Sequence, residues 1–293
     1  MAKALKLHSK FKICGMVVLY NPDEDVIDNI KTYLNQIDKL FIIDNSDQKT
    51  LLYKELLSKL TGCEYISNND NLGIAAALNI GAKKGIEQGY DFILTMDQDS
   101  RVPENIIQEI FYYTDKYNYD INTIGIISPF HYDNPWMVVP SNDIDEMLYV
   151  MTSGNLLNLK AFKSVGDFSE ELFIDRVDDE YCMRLLMNGY KVLRINKILL
   201  PHKLGNISKG SILGRIQTFT NHSPVRRYYI TRNSLYVVKK YKDHFPQYKI
   251  IELKSFFYEF SKILLFEREK IKKIIMIFKG IYHYKKGITG KLT

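Results

Sequence analysis

Cysteine is scarce in this sequence: three in 293 residues, at Cys14, Cys63 and Cys182, with no Cys-x-x-Cys pair. An odd number of distant thiols argues against a disulfide framework or a zinc ribbon and fits reduced thiols in a cytosolic protein. Histidine occurs six times without a His-Glu-x-x-His pattern. Neither a Gly-x-Gly-x-x-Gly run nor a Walker loop is present, so dinucleotide and ATP readings lose support. No apolar run approaches the ~20 residues that span a bilayer. The apolar run Ile13–Tyr20 follows four lysines, but it ends in Asn21-Pro22-Asp23-Glu24-Asp25 with no Ala-x-Ala-like site. It therefore reads as a first buried strand rather than a signal peptide. With 46% hydrophobic and 25% charged residues, disorder and collagen-like structure are excluded as well.

Acidic residues are lacking in one place only. Residues 201–293 hold 20 Lys and Arg against 5 Asp and Glu, whereas residues 1–200 hold 20 against 29. An acidic body with a basic tail points to something anionic meeting the tail. Short apolar runs alternate with helical patterns in the first half. Strands are expected at 13–20, 40–44, 64–67, 92–96 and 123–128, and helices at 23–36, 50–60, 74–88 and 103–117. This alternation predicts an α/β fold, a mainly parallel sheet covered by helices. Residues 129–150 read as an irregular excursion, followed by strands at 148–152 and 156–159, a helix at 178–188 and a strand at 191–200. From Pro224 the pattern is helical, basic and aromatic, which divides the chain into 1–223 and a C-terminal helical region, 224–293.

In parallel sheets of this kind ligands sit at the carboxyl ends of the strands, and the polar clusters fall there. Asp97-Gln98-Asp99 follows the buried run Phe92–Met96, and two carboxylates so placed can share a hard divalent cation with a diphosphate. Asp44, ending the second strand, can accept the N3–H of uracil or thymine, or can simply cap a turn. Gly73, after Asn71-Leu72, lets backbone approach a ribose or diphosphate at a helix amino end. Phe173–Arg184 packs four carboxylates into six residues. Asp178 or Asp179 serves there as a helix cap or as a general base. His202 is a third metal ligand or a structural histidine.

In order along the chain, Val17-Val-Leu-Tyr-Asn-Pro22, Ile42-Ile-Asp-Asn-Ser46, Asn69-Asp-Asn-Leu-Gly-Ile-Ala75, Leu94-Thr-Met-Asp-Gln-Asp-Ser100, Thr152-Ser-Gly154, Phe173-Ile-Asp175 with Asp178, and Arg226-Arg-Tyr-Tyr229 with Arg232-Asn233 resemble family 2 inverting glycosyltransferases of the GT-A fold. Within that family the sequence is similar to the bacterial rhamnosyltransferase-like branch. The likeness spans roughly residues 12–240.

The resemblance implies an enzyme that moves a sugar, L-rhamnose from dTDP-rhamnose in the first instance, onto a glycan hydroxyl in cell-surface polysaccharide synthesis. UDP-galactofuranose and UDP-glucose are the other donors it allows. It also implies roles for matching positions. Tyr20, Asn21, Pro22, Asp44, Asn71, Gly73, Asp97, Ser153 and Gly154 would bind the donor. Asp97, Asp99 and His202 would hold Mn2+ or Mg2+. Asp178 would be the catalytic base, although the residue before it is Val177 where the family has Glu, which leaves Asp179 open.

The expected partners are a nucleotide-diphosphate sugar, a lipid-linked glycan acceptor and an anionic membrane surface reached by residues 246–286. The expected location is cytoplasmic, peripheral at the inner face of the cell membrane. A nucleic-acid partner is not expected, since no such motif is present. A sugar nucleotidyltransferase, the rival reading on a related fold, would show a glycine-rich, Arg-bearing loop where Tyr20-Asn21-Pro22-Asp23 stands.

Overall fold

A computed structural model describes residues 10–47, 55, 57–132, 137–201, 208–212 and 215–293. The chain divides into two compact units. One comprises Met1–Glu170 with Asp178–Lys203, the other Glu171–Val177 with Leu204–Thr293.

The first unit is built on an eight-stranded sheet. Its strands are β1 (Ile13–Leu19), β2 (Lys39–Asp44), β3 (Cys63–Ser67), β4 (Phe92–Asp97), β5 (Ile124–Tyr132), β6 (Ile144–Glu146), β7 (Asn155–Asn158) and β8 (Lys191–Pro201), in the order β3-β2-β1-β4-β7-β5-β8-β6. β1 to β4 are mutually parallel, and β7 runs antiparallel between β4 and β5. All seven residues of β1 are buried, as expected of a central strand with helices on both faces.

The helices of this unit are α1 (Val26–Leu34), α2 (Ile74–Glu87), α3 (Ile106–Lys116), α4 (Leu159–Val165) and α5 (Val177–Met187), the last beginning one residue inside the second unit. Ile30 and Tyr33 of α1, with Ile106, Ile110 and Phe111 of α3, join the strand residues Val17, Ile42 and Leu94 in one core. Small residues let α2 lie close on the sheet. A Cβ at Gly81 would sit 2.3 Å from the Met16 sulfur, so a larger residue there would push the helix away.

The expected strand at 148–152 does not form. A short strand, β6, appears instead inside the stretch read as irregular, antiparallel to β8. Polar pairing creates it: Arg194 bonds Asp145 at 2.8 Å, and Asn196 donates to the same carboxylate at 2.9 Å. Hydropathy carries no trace of such pairing. Of the helix expected at 50–60, only residues 55 and 57–60 are described. Short α4 was also not foreseen. The Asn158 side chain caps it, accepting from the backbone of Lys160 and Ala161.

The second unit holds a hairpin of β9 (Ser208–Ile212) and β10 (Arg215–Phe219), then α6 (Pro224–Tyr241), α7 (Pro246–Leu265) and α8 (Lys270–Lys286). Ser223 caps α6 by accepting from the Arg226 amide, with Pro224 at the first helical position. α6 and α8 pack closely, and Tyr228 and Tyr229 form a small core with Phe173.

Candidate functional site

Sheet register brings the polar strand ends to one edge. Leu19 lies opposite Asp44, Val18 opposite Asp97, and Asp44 opposite Ser67. Asp44 is half-buried, and both its oxygens are engaged. Oδ1 accepts from the Ser46 amide at 2.8 Å, and Oδ2 accepts from the Tyr65 hydroxyl. Burial and the adjacent carboxylate raise the Tyr65 phenol above its usual range, so it stays a donor. Each carboxylate oxygen has two lone pairs, so Asp44 keeps capacity for one more donor. Tyr65 was missed in the sequence because nothing local marks a cross-strand partner.

Asn45 ties this corner together. Its amide donates to the Gly73 carbonyl at 2.9 Å, and its side-chain oxygen accepts from Asn68 at 2.7 Å. Gly73 has φ 87°, a left-handed backbone that favours glycine, and Asn71 accepts from its amide at 3.0 Å. Asn71, Gly73 and the start of α2 thus lie at the same edge as Asp44. Tyr20 and Asn21 are fixed there too. The Asn21 amide donates to Ser46 Oγ at 2.8 Å, and the Tyr20 hydroxyl donates to Asp47 at 2.6 Å. Pro22 follows in the same turn.

Gln98, between the two carboxylates of the expected metal motif, clamps Tyr20. It accepts from the Tyr20 amide at 2.8 Å and donates to the Tyr20 carbonyl at 3.2 Å. The Asn29 side chain donates to the Gln98 carbonyl at 2.9 Å. With its centre so held, the loop leaves Asp97 half-buried at the strand end and Asp99 exposed. Two carboxylates one residue apart at a strand end are oxygen donors of the kind that suits Mg2+ or Mn2+. His202, the expected third ligand, lies outside the described residues. Among the described residues no group of three His, Cys, Asp or Glu converges.

Ser153 and Gly154 close the other side of β4. Ser153 Oγ accepts from the Asp97 amide at 3.2 Å, and the Gly154 amide donates to Thr95 at 2.7 Å. His131 bonds the Ser153 carbonyl at 2.7 Å and fixes the turn from β5.

The carboxylates of α5 differ sharply. Glu180 is buried and forms a paired contact with Arg184, at 3.1 and 2.8 Å. Asp179 is buried as well, 5% exposed. Asp178 is half-buried and lines a small cavity with Thr95, Thr152, Asn155 and Cys182. Asn155, itself 3% exposed, lines the same cavity, and its Oδ1 has no hydrogen-bond partner among the described residues. A buried unpaired acceptor is uncommon and suits a bound hydroxyl or water. Burial raises the Cys182 and Cys14 thiols, which stay protonated and inert.

In the second unit, residues 171–177 are held from the helices. Phe173, Asp175 and Arg176 have φ of 65°, 63° and 65°, unusual for non-glycine residues. Asn233 donates to the carbonyls of Leu172, Ile174 and Asp175 at 2.8, 2.7 and 3.0 Å. Fully buried Arg232 donates to the carbonyls of Glu171, Leu172 and Gly290. The Arg-Asn pair seen in the sequence is thus a backbone clamp.

The family described as Glycosyl transferase family 2 matches residues 16–170. A Shigella flexneri protein described as dTDP-rhamnosyl transferase RfbF is 32% identical over 298 residues, covering 95% of this chain and 97% of the relative. Among solved structures, Staphylococcus aureus TarS 1-349 superposes with TM-score 0.61 at 13% identity, covering 93% of this chain and 80% of TarS. Its complex with UDP-GlcNAc gives 0.60 at 12% identity, covering 94% and 81%. GalNAc-T7 with UDP, GalNAc and Mn2+ gives 0.58 at 14%, covering 95% and 57%. At these identities the structural likeness is one of fold.

Proposed function

Because the chain belongs to glycosyl transferase family 2, we propose that it transfers L-rhamnose from dTDP-rhamnose to a hydroxyl of a glycan acceptor, inverting the anomeric centre, in cell-surface polysaccharide synthesis. The observation that carries the donor is the relative described as a dTDP-rhamnosyl transferase, matched along 97% of its length. The strand-end carboxylates support the reading. Asp44, set by Tyr65 and Ser46, accepts the thymine N3–H, a charged hydrogen bond worth about 1.5–3 kcal/mol. Tyr20, Asn21 and Pro22 border the base, and Asn71 and Gly73 border the ribose and diphosphate. Asp97, Ser153 and Gly154 complete the donor side.

Asp97 and Asp99, with His202, would hold Mn2+ or Mg2+. A divalent ion held there would supply positive charge to offset that of a departing diphosphate. Asp178 accepts the proton of the acceptor hydroxyl. That oxygen attacks the anomeric carbon from the face opposite the diphosphate, and the bond to the diphosphate oxygen breaks. One displacement inverts the centre and needs no protein nucleophile. Glu180 is unsuited to the base role because Arg184 occupies both its oxygens.

The acceptor is read as lipid-linked and the enzyme as peripheral on the cytoplasmic face of the membrane. No helix among the described residues is long and apolar enough to cross a bilayer. α7 and α8 instead expose Leu253, Phe257, Leu265, Ile271, Ile275 and Phe278 beside many lysines, a pattern suited to an anionic interface.

A thermal-shift panel tests the donor. dTDP-rhamnose with manganese should raise the melting temperature by mass action, and ADP-sugars should not. Equal stabilisation by ADP-glucose overturns the base assignment, and a shift with UDP-sugars alone replaces rhamnose by another donor. Release of dTDP on adding acceptor then checks transfer.

A further inference from the structure

α6 and α8 nearly touch, backbone to backbone. A Cβ at Gly280 would lie 2.8 Å from the Tyr228 carbonyl. α7 meets these two helices sparsely. The space left between the three is a groove of about 410 Å3 within the second unit, well inside the range of about 300–1,000 Å3 typical of small-molecule sites. Its walls are Ile230 and Val238 from α6, Phe256 and Phe260 from α7, and Ile277 and Ile281 from α8. Ile277, at 4% exposure, lies deep. Leu253 and Phe257 also line the groove, yet are 54% and 62% exposed, so its wall continues onto the outer surface of α7.

The charges on these helices are one-sided. α7 and α8 carry Lys249, Lys254, Lys270, Lys279, Lys285 and Lys286, besides Lys262 and Lys272, which pair with Glu259 and Glu269. The acids of α7, Glu252 and Glu259, are also bound to Arg176 and Arg227. A second copy seated here would bring these lysines against their own kind. A peptide would press polar backbone groups on apolar walls at a cost. An aliphatic chain leaves no polar group unsatisfied, and an anionic head on the same molecule meets the lysines.

We propose that this groove takes one acyl chain of an anionic membrane lipid, drawn from the leaflet on which the exposed face of α7 and α8 rests. The inference depends on the membrane-docking reading above and adds a defined lipid site to it.

The test uses the intact protein and vesicles of phosphatidylglycerol with phosphatidylcholine, doped with phosphatidylglycerol carrying a diazirine in one acyl chain. After irradiation, mass spectrometry maps the adducts. Adducts are expected on Phe256, Phe260 or Ile281. Ile281→Trp, which fills the groove, should lower groove labelling on the order of tenfold, the effect of excluding about two buried methylenes. Co-sedimentation with the vesicles should persist, because Ile271, Ile275 and Phe278 remain. Ile230→Phe serves as a second, milder filling variant, and circular dichroism verifies that each variant folds.

Co-sedimentation with labels only on outward residues such as Ile271 and Phe278 overturns the lipid site while leaving docking intact. No co-sedimentation overturns the docking reading itself. Equal groove labelling in phosphatidylcholine vesicles doped instead with a diazirine-bearing phosphatidylcholine removes the anionic head from the proposal. A concentration-dependent dimer that abolishes groove labelling assigns the groove to a second copy instead.

Discussion

Tyr65 sits one strand away from Asp44 and donates its hydroxyl to it, so in the proposed donor site the carboxylate would meet the base already oriented. Tyr65→Phe should weaken nucleotide affinity by about 0.5–1.5 kcal/mol and leave the melting temperature nearly unchanged, readable by calorimetric titration. Asp178→Asn keeps the side chain's shape and removes the proposed proton acceptor. Turnover should fall roughly 10²–10⁴-fold with donor affinity retained, and a turnover loss confined to Asp179→Asn would move the base by one residue. His222 offers a pH test. Burial, then the nearby Arg226, Arg227 and Lys273 outweighing Glu259, depress its pKa from 6.5 to about 4. The folded state therefore binds fewer protons than the unfolded one between these values. Its stabilisation is complete above pH 6.5 and is lost as pH falls toward 4. His222→Gln should flatten that decline by on the order of 2 kcal/mol in urea unfolding measured against pH, the half-buried setting reducing the full shift.

Elements were legible in the sequence wherever burial was continuous. β1, β2 and β4 are apolar runs because both faces of a parallel sheet are covered, and α2 and α3 follow helical periodicity. The carboxylates at their ends were legible for the same reason, since each follows a run that must be buried. β6 was not, because its pairing depends on Asp145, Arg194 and Asn196 meeting from distant positions. Nor was the fate of Lys273, one of many lysines in the basic C-terminal region. It is 1% exposed and paired with buried Glu267, which Arg227 also binds. A helical wheel cannot show this, because Glu267 precedes the helix. Close packing of α6 on α8 gives the element-scale expectation. Gly280→Val should lower the melting temperature by several degrees, since crowding the Tyr228 carbonyl costs roughly 1–3 kcal/mol.

For the whole molecule, the charge split has a measurable consequence. Replacing Lys272, Lys279 and Lys286 by Gln should weaken binding to anionic vesicles roughly tenfold to a hundredfold, at about 1 kcal/mol per lysine near the surface. The loss should shrink as salt rises. Donor binding measured without vesicles should not change.

The clamp on residues 171–177 also bears on biosynthesis. These residues leave the ribosome long before their partners, Asn233, Arg232 and the Gly290 carbonyl. At about 5–20 residues per second, residue 290 follows residue 177 by on the order of 6–20 seconds. During that interval the three left-handed residues lack the contacts that hold them, and α5 begins from an unanchored stretch. A nascent chain arrested before residue 233 should therefore show this segment open to protease, and one released past residue 290 should show it protected.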